Sequence, residues 1–351
     1  MPPRVPGQRM LEEIREQPGV LERVCRFEGP TAAALARRLR VRRPQMVVLA
    51  ARGTSDNAAI YGRYLIETHL GIPVSLAAPS VVTLYGARLR LRGTVVIGLS
   101  QSGQSPDIVR FVEEARAAGA LTVAITNTPQ SPLGRAAHEV LFLHAGPEHS
   151  VAATKTYTAQ LALMSLLVAH AAEDLALVRA HQRLPDAMAA ALGTEPAVRP
   201  AAVLLRRRRE CLVTSRGFNF ATALEGALKL KESSRVVAEA LSSADLLHGP
   251  IALVERGFPV IVTAPPGRAL AHLTHLLRGL RRRHAQTIVL SSARQALQVA
   301  ALPVPLPPVG KEALTPHVYI VPLQLLAYHV ARLRGLDPDR PRGLRKVTRV
   351  L

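Results

Sequence analysis

The sequence predicts an α/β protein made of two tandem copies of one module, each a doubly wound parallel β-sheet flanked by helices. Three observations carry this. Short, almost wholly apolar segments (residues 46–50, 95–99, 122–126, 211–214, 259–263 and 286–290) alternate with helical stretches. Strands buried on both faces read this way, and the alternation is that of βαβ units. Second, landmarks recur at a constant offset of 164: Arg52-Gly53 falls on Arg216-Gly217, Gly93 on Gly257, Gly103 on Gly267, and residues 122–126 on 286–290. Several strands and three glycines holding one offset indicate an internal repeat. Third, 351 residues with 48% hydrophobic content suffice for two cores.

Taken in order, residues 1–28 form an N-terminal helical arm. Leu11, Ile14, Leu21 and Val24 lie on one side of a helix over 9–27 that Gln17-Pro18-Gly19 is expected to break. Residues 29–180 form the first module. Residues 181–198, with Pro185 and Pro196, read as a linker, and 199–336 form the second module. Residues 337–351 are a C-terminal tail. The runs Arg206–Arg209 and Arg281–Arg283 each precede a predicted strand and read as solvated helix ends.

Aromatic residues make up 3% of the chain and Trp is absent, so the cores are aliphatic. The net charge of +20 comes from 45 basic and 25 acidic residues, but the arginines are scattered, so no nucleic-acid partner is expected. Only five of the basic residues are lysines: Lys155, Lys229, Lys231, Lys311 and Lys346. In such a chain a Lys marks a place where an amine rather than a guanidinium serves. Cys25 and Cys211 lack metal-binding spacing; reduced thiols, a cytoplasmic protein, and no metal or other cofactor are expected. The N-terminus has no apolar signal core, and the most apolar helical run, from 161 to 172, is too short to span a bilayer, so no membrane partner is expected.

Residues 100–107, Ser-Gln-Ser-Gly-Gln-Ser-Pro-Asp, lie between a strand and a helix. Ser105 suits the N-cap and Pro106 the first helical position. Three hydroxyls, a glycine and a helix N-terminus make an anion cradle. Thr54 and Ser55, in the preceding strand-to-helix turn, are expected to contribute. The second copy carries Ala264-Pro265-Pro266-Gly267 at this place, without hydroxyls and with two N–H donors removed by proline. One phosphate site is therefore expected, not two. Thr154 and Lys155, ahead of an apolar helix, read as a cap or sugar contact and as a phosphate partner or surface residue.

The stretch 221–250 holds the expected chemistry. Glu225, Lys229 and Glu232 stand at i, i+4 and i+7, on one face of an otherwise apolar helix. His248 follows sixteen residues on, before a Gly-Pro turn. A carboxylate, an amine and an imidazole are the parts needed for proton transfer beside a carbonyl.

These residues carry a resemblance. The chain resembles the isomerase half of the glutamine–fructose-6-phosphate aminotransferases, a pair of sugar-isomerase (SIS) domains of flavodoxin- or Rossmann-like form. The matching stretches are RGTS at 52–55, SQSGQS at 100–105, VAATKTYTAQL at 151–161, LEGALKLKE at 224–232, HGPIAL at 248–253, VPLQLLAYHVA at 321–331 and DPDRPRGLRKVT at 337–348. The resemblance implies a homodimer with its site at the dimer interface. It implies that Ser55, Ser100, Gln101, Ser102 and Ser105 bind a sugar phosphate, with Val151 and Ala153 lining the pocket. Glu232 would shuttle a proton between C1 and C2, and His248 would assist ring opening. Lys346 would reach the sugar carbonyl, Arg342 would hold the tail, and Glu225 and Lys229 would complete the helix face. Arg52 and Ala153 depart from the family pattern, which has a small residue or Cys and a Ser there. The sequence opens Met1-Pro2-Pro3 and passes directly to the isomerase region, so no glutaminase is expected.

The expected activity is that of a glucosamine-6-phosphate deaminase/isomerase, giving fructose 6-phosphate and ammonia. Rival readings are a deglycase of fructosamine- or fructoselysine-type 6-phosphates, a glutamine-independent isomerase-domain paralogue, and a sugar-phosphate sensor without catalysis.

Overall fold

A computed structural model describes residues 5–346. The chain divides into two compact units. The first comprises residues 19–148, 155–183 and the chain from 345; the second comprises the chain up to 18, 149–154 and 184–344. Helix α1 (Gln8–Arg42) contributes to both.

In the first unit, strands β1 (Val47–Ala50), β2 (Val74–Leu76), β3 (Val95–Leu99), β4 (Leu121–Thr126) and β5 (Glu139–Phe142) form a wholly parallel sheet in the order β2-β1-β3-β4-β5. Between and after them come α2 (Thr54–Leu70), α3 (Ser80–Thr83), α4 (Pro106–Ala117), α5 (Pro132–Ala136), α6 (Lys155–Ala171) and α7 (Leu175–His181). On one face, Val48, Val96 and Ala124 pack against Ile108, Phe111 and Val112 of α4. Helix α2 packs along α6, in which every residue but His170 is buried. An all-round apolar helix is one buried on all sides.

The second unit holds α8 (Leu184–Leu192), α9 (Glu195–Leu205), β6 (Glu210–Ser215), α10 (Phe220–Lys229), β7 (Val237–Ser242), α11 (Ser243–Leu247), β8 (Pro259–Thr263), α12 (Leu270–Arg282), β9 (Gln286–Ser291), α13 (Arg294–Leu297), β10 (Leu302–Pro305) and α14 (Thr315–Leu333). Its five strands are again all parallel, ordered β7-β6-β8-β9-β10. Position for position this is the order of the first sheet. Val95 and Pro259, which open β3 and β8, stand 164 residues apart. The two parallel sheets flanked by helices are as the sequence predicts.

Two expectations are corrected. Helix α1 is not broken at Gln17-Pro18-Gly19 but runs on unbroken. Proline at 18 removes the N–H that would bond the Ile14 carbonyl; the Gln17 side chain donates to that carbonyl instead, at 2.9 Å, and to Gln324 Oε1 at 2.7 Å. The stretch expected as a linker is helical. Its Pro196 lies in the first turn of α9, and Leu184, Met188 and Val198 are buried, with α14 packed against both α8 and α9. The arginine runs lie at the ends of α9 and α12, as read from the sequence. Among the described residues no helix is long and apolar enough to cross a membrane.

Candidate active site

In the first unit the strand order reverses between β1 and β3, so the chain leaves these neighbours in opposite directions. The crevice beyond their C-terminal ends is where such sheets bind ligands. Thr54 and Ser55 open α2 directly after β1, and residues 100–105 join β3 to α4. Ser55 is buried, and Gln160 Nε2 donates to its Oγ at 2.9 Å. That bond takes one of the two lone pairs of the Ser55 hydroxyl and leaves its O–H available to donate.

Gly103 takes φ +63°, and its N–H bonds Ser100 Oγ at 3.2 Å. A Cβ there would collide with Ser131. The loop is pinned from outside: Asn127 N donates to Gln101 O (3.0 Å) and Leu133 N to Gly103 O (3.1 Å). Ser105 occupies the N-cap and Pro106 the first turn. Contrary to a simple cap, the Ser105 hydroxyl makes no capping bond and lies 3.4 Å from Ser100 Oγ. Ser102 Oγ accepts from Gln104 N at 3.3 Å. The hydroxyls of Ser55, Ser100, Ser102 and Ser105 are thus held by a rigid frame rather than used up by helix capping.

The second copy's corresponding loop is filled from within. Glu312 Oε2 accepts the Arg268 N–H at 2.9 Å, and its carboxylate lies against Gly267 so closely that a Cβ there would overlap it. A carboxylate of the chain itself occupies that loop.

In the second unit α10 ends at Lys229 and widens into a π-turn, Leu230–Ser234. This corrects the continuous α-helix expected from the sequence: Glu232 sits on the wider turn. Ser233 Oγ donates to Lys229 O and Ser234 Oγ to Leu230 O, each at 2.6 Å. These bonds satisfy carbonyls as the helix widens, and Arg235 ends it in a left-handed conformation, φ 55°. Single π-turns of this kind recur at functional sites.

Lys229 Nζ lies 2.6 Å from Glu232 Oε2 and 3.3 Å from Glu225 Oε1. Glu225 and Lys229 are fully buried and the Glu232 side chain is 26% exposed. Burial alone would pull the Lys229 ammonium down, but Glu225 and Glu232 outweigh it and hold the pKa above the ordinary lysine value. The solvated ion pair that such spacing often signals is therefore not what forms. Glu232 opens into a cleft of about 340 Å³ that it shares with Lys231, Arg235, Asp337, Arg340 and Arg342. The resemblance assigns a role to Arg342 alone; Arg340 lies in the same tail stretch and Lys231 in the 224–232 stretch, while Arg235 lies in neither.

His248 caps the C-terminus of α11 and is exposed, its N–H bonded to Asp245 O at 3.0 Å. Val151 and Ala153 lie half-buried in a segment fixed by Glu13, which takes the Ser150 hydroxyl and N–H, and by Asp339 O, which takes the Val151 N–H at 3.2 Å. Lys346, in the first unit, donates to Glu148 Oε2 at 2.7 Å. Glu148 is buried and also accepts from Thr156 Oγ1 at 2.7 Å and Thr156 N at 3.2 Å. Residues 347 and 348 of the tail motif lie outside the described residues. Lys155, which could have been a surface residue, is 2% exposed. Burial pushes the thiols up, Cys25 to about 11 and Cys211 to about 12, so neither is a reactive thiolate. Among the described residues no group of His, Cys, Asp and Glu is placed to hold a metal.

A profile of the SIS domain matches residues 41–170 and again 204–334. The chain belongs to the SIS domain family. It is 37% identical over 345 residues to the glutamine–fructose-6-phosphate aminotransferase of Pyrococcus horikoshii, covering 96% of this chain and 57% of that protein. An aminotransferase of the same name from Thermus thermophilus is 37% identical over 352 residues, with 96% and 58% covered. The SIS chain thus spans a little over half the length of these curated relatives. Among solved structures, a candidate phosphosugar isomerase of Silicibacter pomeroyi DSS-3 is 37% identical with a TM-score of 0.86, covering 94% of this chain and 99% of that one. The C-terminal domain of the Francisella tularensis glucosamine-fructose-6-phosphate aminotransferase is 26% identical with the same TM-score, covering 95% and 98%.

Proposed function

We propose that this SIS chain is a sugar-phosphate aldose–ketose isomerase acting on an amino sugar, releasing ammonia from glucosamine 6-phosphate to leave fructose 6-phosphate. The observation that carries the reading is the Glu225–Lys229–Glu232 cluster, a carboxylate held by a buried ammonium at the edge of a cleft. Lys229 binds Oε2 of Glu232, and among the described residues Oε1 has no hydrogen bond, so one oxygen fixes the carboxylate and the other can move a proton.

The chemistry balances without a cofactor. His248 assists opening of the ring to the aldehyde. Glu232 removes the C2 proton while O1 gains one, giving an enolamine, and then returns a proton to C1, giving the C2 imine. Water adds to the imine and ammonia leaves. Lys346 is assigned to the carbonyl region, and the phosphate to Ser55, Ser100, Gln101, Ser102 and Ser105, with Thr54 beside them. Relatives named as glutamine–fructose-6-phosphate aminotransferases support the substrate class. Exposed Leu247 and Leu253 flank His248, which suits a segment covered by a second copy, and a homodimeric site is part of the proposal.

One observation favours a second reading. Lys231, Arg235, Arg340 and Arg342 surround Glu232 and would suit an anionic N-substituent, as in a fructosyl-amino-acid 6-phosphate deglycase. The test is an assay of ammonia and fructose 6-phosphate released from glucosamine 6-phosphate by purified protein. Release supports the deaminase; turnover only of a fructosyl-amino-acid 6-phosphate selects the deglycase; no turnover of either refutes both. Ser102→Ala is expected to raise KM before it lowers kcat.

A further inference from the structure

Arg52 departs from the residue types expected in its turn, and its geometry has a specific consequence. Its carbonyl accepts the N–H of Ser55 at 3.1 Å. Its side chain crosses from the β1–α2 turn to the first turn of α4, where Nε donates to Asp107 Oδ2 at 2.7 Å. One residue therefore bonds both to Ser55 and to the helix that Ser105 opens. The Asp107 side chain is 4% exposed and that of Arg52 is 54% exposed.

Two charges have to be reconciled at this place. A buried carboxylate two residues after Ser105 would repel a phosphate dianion at the adjacent loop. Asp56, on the first turn of α2, adds a second carboxyl; burial raises its pKa, and the Arg52 guanidinium counteracts that. Arg52 is the cation that acts on both. A guanidinium offers five N–H donors in a planar fork. Once Nε is committed to Asp107, the Nη1/Nη2 edge is left for another anion, and among the described residues the Nε contact is this side chain's sole hydrogen bond. The hydroxyls of Ser55 and Ser100–Ser105 are neutral donors, so a bidentate cation is the component that a dianion still needs.

We propose that Arg52 is a phosphate-binding residue of the cradle, clamped by Asp107 so that its outer N–H pair engages the phosphate of the substrate. This rests on the phosphate assignment made above, and gives the site its charge. It also separates this chain from relatives with a small residue or Cys in the turn, in which the hydroxyls and backbone would act without a guanidinium.

The test uses inorganic phosphate as the probe, by calorimetry on the whole chain, with Arg52→Gln and Arg52→Lys. Gln can still bond to Asp107 but has no charge; Lys keeps the charge without the fork. Arg52→Gln is expected to weaken phosphate binding by about 10- to 100-fold, with Arg52→Lys recovering part of the loss. Where turnover is measurable, KM should rise and kcat stay nearly constant. Phosphate binding by Arg52→Gln within about twofold of the parent protein, or a parent protein that takes up no phosphate, overturns the proposal. The two readings fail separately. Loss of phosphate binding in Arg52→Gln with no turnover of any amino sugar phosphate by the parent leaves Arg52 assigned and removes the reaction. Turnover by Arg52→Gln with an unchanged KM keeps the reaction and removes Arg52.

Discussion

The Lys229 ammonium donates to Glu232 Oε2 across 2.6 Å while its other side lies 3.3 Å from Glu225 Oε1. The first contact orients the proposed base; the second neutralises a fully buried carboxylate. Lys229→Met removes the ammonium that faces the buried Glu225 carboxylate, and breaking a buried ion pair from one side costs roughly 3–5 kcal/mol. Urea denaturation is expected to show a destabilisation of that size, and adding Glu225→Gln should recover a large part of it. A Lys229→Met protein as stable as the parent would mean that the pair contributes nothing to the fold.

The loop proposed to hold phosphate depends on Gly103. Alanine there must adopt φ +63° and meet the Ser131 side chain. The expected cost is about 1–3 kcal/mol, together with weakened binding of inorganic phosphate. Adding Ser131→Gly removes the collision but not the backbone strain, so it should restore only part of the stability. Thermal melts and calorimetry of the two variants separate the contributions.

His181 makes the fold acid-sensitive. Burial lowers its pKa to about 4, beyond what the bond from Nδ1 to Leu177 O (2.8 Å) can offset. Nε2 lies 2.7 Å from Ser165 Oγ. The folded protein therefore keeps the ring neutral, while the unfolded chain protonates near pH 6.5. Stability from this source is complete above about pH 6.5 and is lost as pH falls towards 4, by up to roughly 3 kcal/mol. Urea midpoints between pH 7 and 4 should drop, and drop less in His181→Gln.

The fold was legible because a parallel sheet buried on both faces writes itself as apolar runs, and because the 164-residue offset repeats them. The π-turn was not legible. Residues 224–232 have the composition of a plain helix, and the widening depends on Ser233 and Ser234 bonding carbonyls four residues back. Nor was the continuity of α1, since Pro18 is a breaker unless a side chain such as Gln17 fills the vacant carbonyl. Within the candidate site, the motif stretches stood out, but their partners did not. Gln160 behind Ser55, Glu148 behind Lys346, Glu13 behind Ser150 and Glu312 in the second copy's loop are each far in sequence from what they touch. No local spacing announces such pairs. Gln160 lies within the matching stretch 151–161, though nothing local ties it to Ser55, and Glu148 could have been suspected as a polar residue ahead of an apolar helix.

Glu232 is the residue on which the proposed chemistry turns, and Glu232→Gln keeps its shape while removing the base. The decisive measurement is the rate of fructose 6-phosphate formation from glucosamine 6-phosphate by this variant, beside its affinity for the substrate. A rate loss of roughly 10²- to 10⁴-fold is expected, with affinity nearly unchanged. A variant that turns over at the parent rate would contradict it.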